Sequence, residues 1–182
     1  MSQFRDFFHF IETKNRFAKK YGYFECRCIC PGGIGLWAAF WTLGEGMFAP
    51  PTGSAANGCE IDMFESPNFS AKTRFMRDGV NQATGYDGYD GVISKGVVLG
   101  KYAGKNIYTQ FNTYGLEWNE NEIIFYINGV ESLRTSFQKG VSRVPEYVIL
   151  TLCLPVEFPE ENAGVTTDFV VDYVKIYQKD AA

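Results

Sequence analysis

One segment gathers residues able to do nucleophilic and acid/base chemistry: Cys59-Glu60-Ile61-Asp62-Met63-Phe64-Glu65-Ser66. On an extended strand, side chains two apart share a face, so Glu60 and Asp62 point one way and Ile61 the other. Simple alternation sends Glu65 to the opposite face. A β-bulge at Met63 and Phe64 adds one residue and restores the phase, returning Glu65 to the side of the other two acids. With the bulge, Glu60 and Glu65 stand about four strand steps apart, roughly 13 Å between Cα atoms, and side chains leaning together bring the carboxyls to about 5 Å. That spacing suits a nucleophile and an acid/base on opposite sides of a glycosidic bond, in a reaction that retains configuration. Asp62 between them raises the cost of ionising all three, which favours a protonated Glu65 near neutral pH. The plain alternative is three strand acids facing water. Ile61, Met63, Phe64 and Phe69 make the segment half-buried, and Trp37 and Trp41 recur nearby, which weighs against it.

The elements that must position these acids read as strands. The chain has 182 residues, 46% hydrophobic and 21% charged, enough for one domain over residues 1–182 with a sizeable core. Aromatics reach 16% and there are 19 Gly, a mix that suggests many strands joined by tight turns. No stretch shows the 3.6-residue periodicity of a long amphipathic helix. Residues 21–30 alternate, with Tyr23, Glu25, Arg27 and Ile29 on one face and Phe24, Cys26, Cys28 and Cys30 on the other, before Pro31-Gly32-Gly33 closes the run. Residues 36–43, 108–118, 147–154 and 168–177 also read as strands. Residues 122–133 read as a hairpin, because Asn128-Gly129 supplies the positive φ values of a type I′ turn. About ten strands result, in the manner of an all-β sandwich or barrel. The glycine-rich stretches 44–58 and 85–104 read as loops that shape a binding surface.

Charge and cysteine content remove several classes. The net charge is -4 and no basic block occurs, which argues against nucleic acid as the main partner. Apolar stretches fall well short of the 18 or so residues of a membrane-spanning helix, so a soluble chain without a membrane partner is expected. The opening Met1-Ser2-Gln3-Phe4-Arg5-Asp6 lacks a secretory leader pattern; the protein is intracellular or its export signal lies outside this sequence. Five cysteines cannot all pair within one chain. Cys26, Cys28 and Cys30 read as small core residues beside Phe24. The alternative, a metal site, lacks a Cys-x-x-Cys pair and has only His9 to draw on.

Glu60-Ile61-Asp62-Met63-Phe64-Glu65 resembles the Glu-x-Asp-x-x-Glu signature of glycoside hydrolase family 16, in the bulged variant of laminarinase-type β-1,3-glucanases. Four further segments are similar and keep the family's order from about Phe10 to Gln178: 20–27 around Tyr21-Gly22-Tyr23-Phe24, 35–41 with Trp37 and Trp41, 113–118 ending in Glu117-Trp118, and 168–177 around Asp172-Tyr173. The resemblance implies a concanavalin A-like β-jelly-roll sandwich with the acid strand on the floor of a concave sugar-binding cleft. It implies Glu60 as nucleophile, Glu65 as general acid/base and Asp62 as assisting acid. Trp37 and Trp41 are expected to stack on sugar rings, with Trp118 and Asn112 as further substrate contacts. Asn112 stands where relatives often carry His, and the segment 85–89 looks like a glucanase His-Trp-Asp-Gly-Tyr segment with two substitutions.

The implied substrate is a β-1,3- or mixed β-1,3-1,4-glucan polysaccharide or oligosaccharide, and no cofactor is required for the chemistry. Relatives acting on agar, carrageenan or xyloglucan share the same triad. A carbohydrate-binding relative without turnover, or a purely structural all-β domain, are the competing classes. Against the family the chain reads as short by its first strands, which predicts an uncovered sheet edge and self-association through it. Asp172 matches the family's calcium-ligating aspartate, whose partner ligands come from that same missing region.

Overall fold

The computed structural model describes residues 8–33, 35–50, 52–67, 79–86, 95–137, 140–153 and 167–178. Phe69, Leu154 and residues 87–89 of the 85–89 segment lie outside the described residues. Eleven strands are described: β1 Phe8–Glu12, β2 Gly22–Ile29, β3 Trp37–Gly44, β4 Glu60–Pro67, β5 Gly79–Tyr86, β6 Lys95–Ala103, β7 Asn112–Trp118, β8 Ile123–Ile127, β9 Val130–Thr135, β10 Glu146–Cys153 and β11 Val170–Tyr177. They form two antiparallel sheets, a six-stranded one in the order β1-β10-β3-β4-β5-β6 and a five-stranded one in the order β11-β2-β7-β8-β9.

The alternation read from the sequence explains how these sheets close on each other. Phe24, Cys26 and Cys28 of β2, and Cys30 just after it, are buried in the core, so the cysteine row is core packing. With Tyr114, Leu116 and Trp118 of the adjacent β7 they face Ala38 and Phe40 of β3 and Ile61, Met63 and Phe64 of β4, all in one cluster. The five cysteines are free thiols. Apolar burial of this kind contributes about 25 cal/mol per Å2 and dominates the stability of a two-layer fold. Cover thins at the β1 side, where Phe10 and Ile11 remain exposed.

The hairpin reading is correct in detail: β8 and β9 meet at Asn128 (φ 52°) and Gly129 (φ 75°), both in the left-handed region that a type I′ turn needs. Two other expectations change. Residues 95–103, expected within a loop, form β6 and pair with β5 along its length. Glycines and scattered Lys and Tyr hide the period there, so tertiary pairing decides the strand. Residues 108–111 are not strand; a 3-10 turn at Lys105–Tyr108 precedes β7. The sequence reading also assigns no strand to Phe8–Glu12, which is β1, paired to β10 at the sheet edge.

Gly22 starts β2 with φ 125°, and a Cβ there would fall 2.4 Å from the carbonyl oxygen of Tyr177 on the neighbouring β11. Gly22→Ala is therefore expected to cost about 2 kcal/mol or more, through both strain and displacement of β11. A thermal unfolding scan should show the midpoint lower by roughly 4–8 °C; an unchanged midpoint would show that β11 gives way freely at this end.

Candidate active site

The bulge expected in the acid strand is present on both of its sides. Against β3 the register runs Phe40↔Phe64 then Trp41↔Asp62, leaving Met63 as the extra residue. Against β5 it runs Asp62↔Ala83 then Glu65↔Asn81, so Met63 and Phe64 oppose Gln82 alone. The consequence is a clean division of side chains. Ile61, Met63 and Phe64 are fully buried in the core, while Glu60, Asp62 and Glu65 line one depression of about 350 Å3 on the outer face of the six-stranded sheet.

Neighbouring strands supply both room and walls. Trp37, Ala39 and Trp41 alternate on the outer face of β3, and Ala39 lies in register with Glu65 between the two indoles. Thr151 and Cys153 of β10 complete the lining. On the other side Gly85 is in register with Glu60, whose carboxyl lies against it; a Cβ at Gly85 would be 3.5 Å from Glu60 Oε1. Small residues at Ala39, Ala83 and Gly85 flank large ones, and that contrast makes the hollow.

Burial raises all three acids, and their mutual repulsion raises the pair Glu60 and Asp62 further. Glu60 is pushed up to about 7, first by desolvation, then by the charges of Glu65 and Glu146. Asp62, 4% exposed, is raised by desolvation and then by Glu60 and Glu65. Glu65 is also raised by burial, with the indole N–H of Trp37, which donates to it, opposing the rise. Near neutral pH the cluster thus holds fewer than three charges and titrates as a unit.

A second depression of about 270 Å3 adjoins the first through Trp41 and is lined by Phe10, Glu12, Lys14, Leu43, Phe48, Tyr147 and Ile149. Together they make a groove across β4, β3, β10 and β1. Lys14 Nζ sits 4.8 Å from the Phe48 ring centroid and 5.3 Å from that of Tyr147. Sequence reasoning missed Phe48, Tyr147 and Lys14. Tyr147 could have been found from the alternation Tyr147, Ile149, Thr151, Cys153, but only once β10 is known to lie beside β3.

Three site expectations are corrected. Trp118 is 1% exposed on the core side of β7, donates its indole N–H to the Ser142 carbonyl at 3.1 Å and packs edge-on against Tyr21 at 5.4 Å; it is a core residue in the other sheet. Asn112, 3% exposed, also belongs to that sheet: it donates to the Gln110 carbonyl at 3.0 Å and accepts from Asn128 Nδ2 at 2.9 Å, so it braces the hairpin turn. Asp172 accepts from Arg27 Nη1, and that guanidinium lies 4.2 Å from the centroid of Phe111. A calcium ion at Asp172 would face the guanidinium charge, and among the described residues no group of three or more His, Cys, Asp or Glu could hold a metal. The residues present do not fit a calcium site there.

Comparison with known proteins decides the family. A family model described as "Glycosyl hydrolases family 16" matches residues 9–170. The chain belongs to glycosyl hydrolase family 16. It is 27% identical over 173 residues to "Endo-1,3-1,4-beta-glycanase ExsH" of Rhizobium meliloti (strain 1021), covering 94% of this chain and 33% of that protein. To "Glucan endo-1,3-beta-glucosidase A1" of Niallia circulans it is 25% identical over 190 residues, covering 93% and 26%. The chain thus spans about a third or less of the length of these relatives. Among solved structures, the laminarinase catalytic domain from Thermotoga maritima matches with a TM-score of 0.71 at 24% identity, covering 94% of this chain and 69% of that one. The kappa-carrageenase from Zobellia galactanivorans matches at 0.72 and 22%, covering 94% and 71%. At these identities the structures share the fold, a jelly-roll sandwich.

The raised acids of this family-16 site carry a stability cost with a definite sign. In the unfolded chain Glu60 ionises near 4.5; folded, it does so near 7. As pH rises from about 4.5 to 7 the unfolded state gives up this proton first, so stability falls through that window, and the penalty is complete above it. Glu60→Gln is expected to stabilise the protein by about 1–3 kcal/mol at pH 8, with no gain at pH 4.5. Urea midpoints of both proteins at the two pH values check this; equal gains at both would contradict it.

Proposed function

We propose that this chain is a retaining endo-glycosidase that hydrolyses β-1,3 or mixed β-1,3-1,4 linkages in glucans. The observation that carries the reading is the gathering of three carboxyls, Asp62 buried and Glu60 and Glu65 half-buried, by one bulge onto the floor of a groove walled by Trp37 and Trp41. The relatives named as endo-1,3-1,4-β-glycanase and endo-1,3-β-glucosidase support the glucan class.

In the proposed reaction Glu60 attacks the anomeric carbon and Glu65 passes its proton to the leaving oxygen, giving a glycosyl-enzyme. Glu65, now a carboxylate, then takes a proton from water as that water attacks the same carbon and releases Glu60. The Trp37 N–H favours the ionised form of Glu65, which is the form the second step starts from. Asp62 lies between them, two β5 positions from each in register, and is raised by desolvation and then by the charges of both.

Reducing-end release from laminarin, lichenan, agarose and carrageenan tests the reading, with product size and anomer followed by NMR. Cleavage of a glucan with a β-configured first product is expected. Glu60→Gln should lose about 10³-fold or more. Glu65→Gln should lose as much on polysaccharide, and far less on an aryl glucoside whose leaving group needs no proton. Folded wild-type protein that cleaves nothing, yet is retained by a glucan gel, would indicate a binding relative instead.

The pH profile of kcat/KM is expected to be bell-shaped, with an acidic limb set by deprotonation of the nucleophile Glu60, pushed up to about 7, and a basic limb set by deprotonation of Glu65, which burial also raises. A profile flat to pH 9 would show that no proton in this cluster is used.

A further inference from the structure

Behind the acid strand, on the core side of the same sheet, lies a fourth carboxyl that the proposed chemistry does not use. Glu146 opens β10 and is 0% exposed. Its Oε1 accepts the backbone N–H of Cys59 at 3.0 Å, and its Oε2 accepts the hydroxyl of Thr42 at 2.6 Å. Cys59 is the residue immediately before Glu60.

The contact spans a strand. β3 runs between β10 and β4, and Glu146 is in register with Gly44 of β3. A Cβ at Gly44 would stand 2.6 Å from Gly58 Cα, 3.1 Å from Cys59 N and 3.2 Å from Glu146 Oε1. Glycine alone leaves the passage through which the carboxyl reaches. The Gly44 N–H donates in turn to the Cys59 carbonyl at 2.9 Å. The Cys59 peptide is therefore gripped by its N–H and by its carbonyl, just where the chain enters the acid strand from a glycine-rich loop.

A wholly buried carboxyl, with no ion pair among the described residues, is costly to maintain. An apolar side chain would fill the space with less penalty, but it would free the Cys59 N–H. We propose that Glu146 is a positioning residue for the acid strand, holding the Cys59 peptide across Gly44 and so fixing where Glu60 projects into the groove. This rests on the reading of Glu60 as nucleophile.

Charge supports the geometry. The charge of Glu146 is among the causes that raise Glu60, after burial and Glu65. The titratable groups around it are Cys59, Glu60 and, further along, Asp62 on β4, and Tyr147 on its own strand; Lys19 meets it through the backbone bridge to residue 146. Burial raises the Glu146 carboxyl itself, and the bonds from Thr42 and the Cys59 N–H oppose that rise.

Glu146→Leu removes both clamp bonds and frees the Cys59 N–H; Glu146→Gln keeps an oxygen for that N–H and removes the charge. Each is compared with wild type for kcat, KM and pH profile on laminarin, for thermal midpoint, and for titration of the Glu60 carboxyl by 13C NMR. Glu146→Leu is expected to keep KM within about twofold and lower kcat by about 5- to 50-fold. Glu146→Gln should recover most of that loss and move the Glu60 titration downward. A folded Glu146→Leu protein with wild-type kcat overturns the proposal, and so does a folded Glu146→Gln protein as slow as Glu146→Leu. If Glu146→Leu does not fold, Thr42→Val, which removes one clamp bond, decides: unchanged kcat overturns it and a lowered kcat at constant thermal midpoint supports it. If wild type cleaves no glycan, the glycosidase reading fails by itself, and a Glu60 titration unchanged in Glu146→Leu then overturns this proposal as well.

Discussion

The whole site depends on one extra residue in one strand. Without the bulge at Met63, β4 would bury either Phe64 or Glu65 on the wrong side, because pleated alternation allows no other arrangement. The core enforces the bulge from beneath. Met63 and Phe64 are both fully buried, Phe64 packs 4.3 Å from the Tyr114 ring and 6.1 Å from that of Phe169, and exposing either to satisfy a regular ladder would forfeit roughly 1.5–3 kcal/mol of burial. Apolar packing on one face of the sheet thus sets the phase of the carboxyls on the other.

That arrangement explains why the flanking strands look as they do. Three acids crowded on one face repel one another and lose water, so the fold around them must be rigid enough to refuse relaxation. β3 answers with Trp37 and Trp41 on the groove side and Ala38 and Phe40 in the core, while its Gly44 end admits Glu146. β5 answers with buried polar residues, Asn81 beside Glu65 and Gln82 on the core side, where Gln82 Oε1 accepts the Ser132 hydroxyl of β9 at 2.8 Å and ties the two sheets. The acid strand is held at its entry, along both sides and from below.

How much of this was legible in the sequence follows from the range of the forces involved. Local signals sufficed where neighbours in sequence determine the outcome: the alternation of β2, the Asn128-Gly129 turn, and the acid spacing that requires a bulge. The resemblance carried the two groove tryptophans. It misled at Trp118 and Asn112, since a tryptophan or an asparagine on a strand carries no mark of which sheet the strand will join. Only the register Gly22↔Trp118 and Cys28↔Asn112 puts them beside β2, away from the groove. Asp172 went astray for a similar reason: its partner Arg27 is 145 positions distant. Tyr147, Phe48 and Glu146 were not singled out, because each acquires its role only when β10 and the turn after β3 come beside the acid strand.

The two buried acids of the sheet also show why burial alone does not mark a catalytic group. Asp62 and Glu146 are both almost or wholly excluded from solvent and both are raised by desolvation. Their surroundings differ in kind. Glu146 spends its oxygens on a backbone N–H and a hydroxyl, fixed donors that hold one geometry. Asp62 stands among other carboxyls, where the principal influences after desolvation are the charges of Glu60 and Glu65, so a proton added to any one of the three changes the other two. A group whose partners are themselves acids can pass a proton, whereas one whose partners are fixed donors can only hold a shape. By that distinction the carboxyls on the groove face titrate together, while Glu146 on the core face is fixed by its donors.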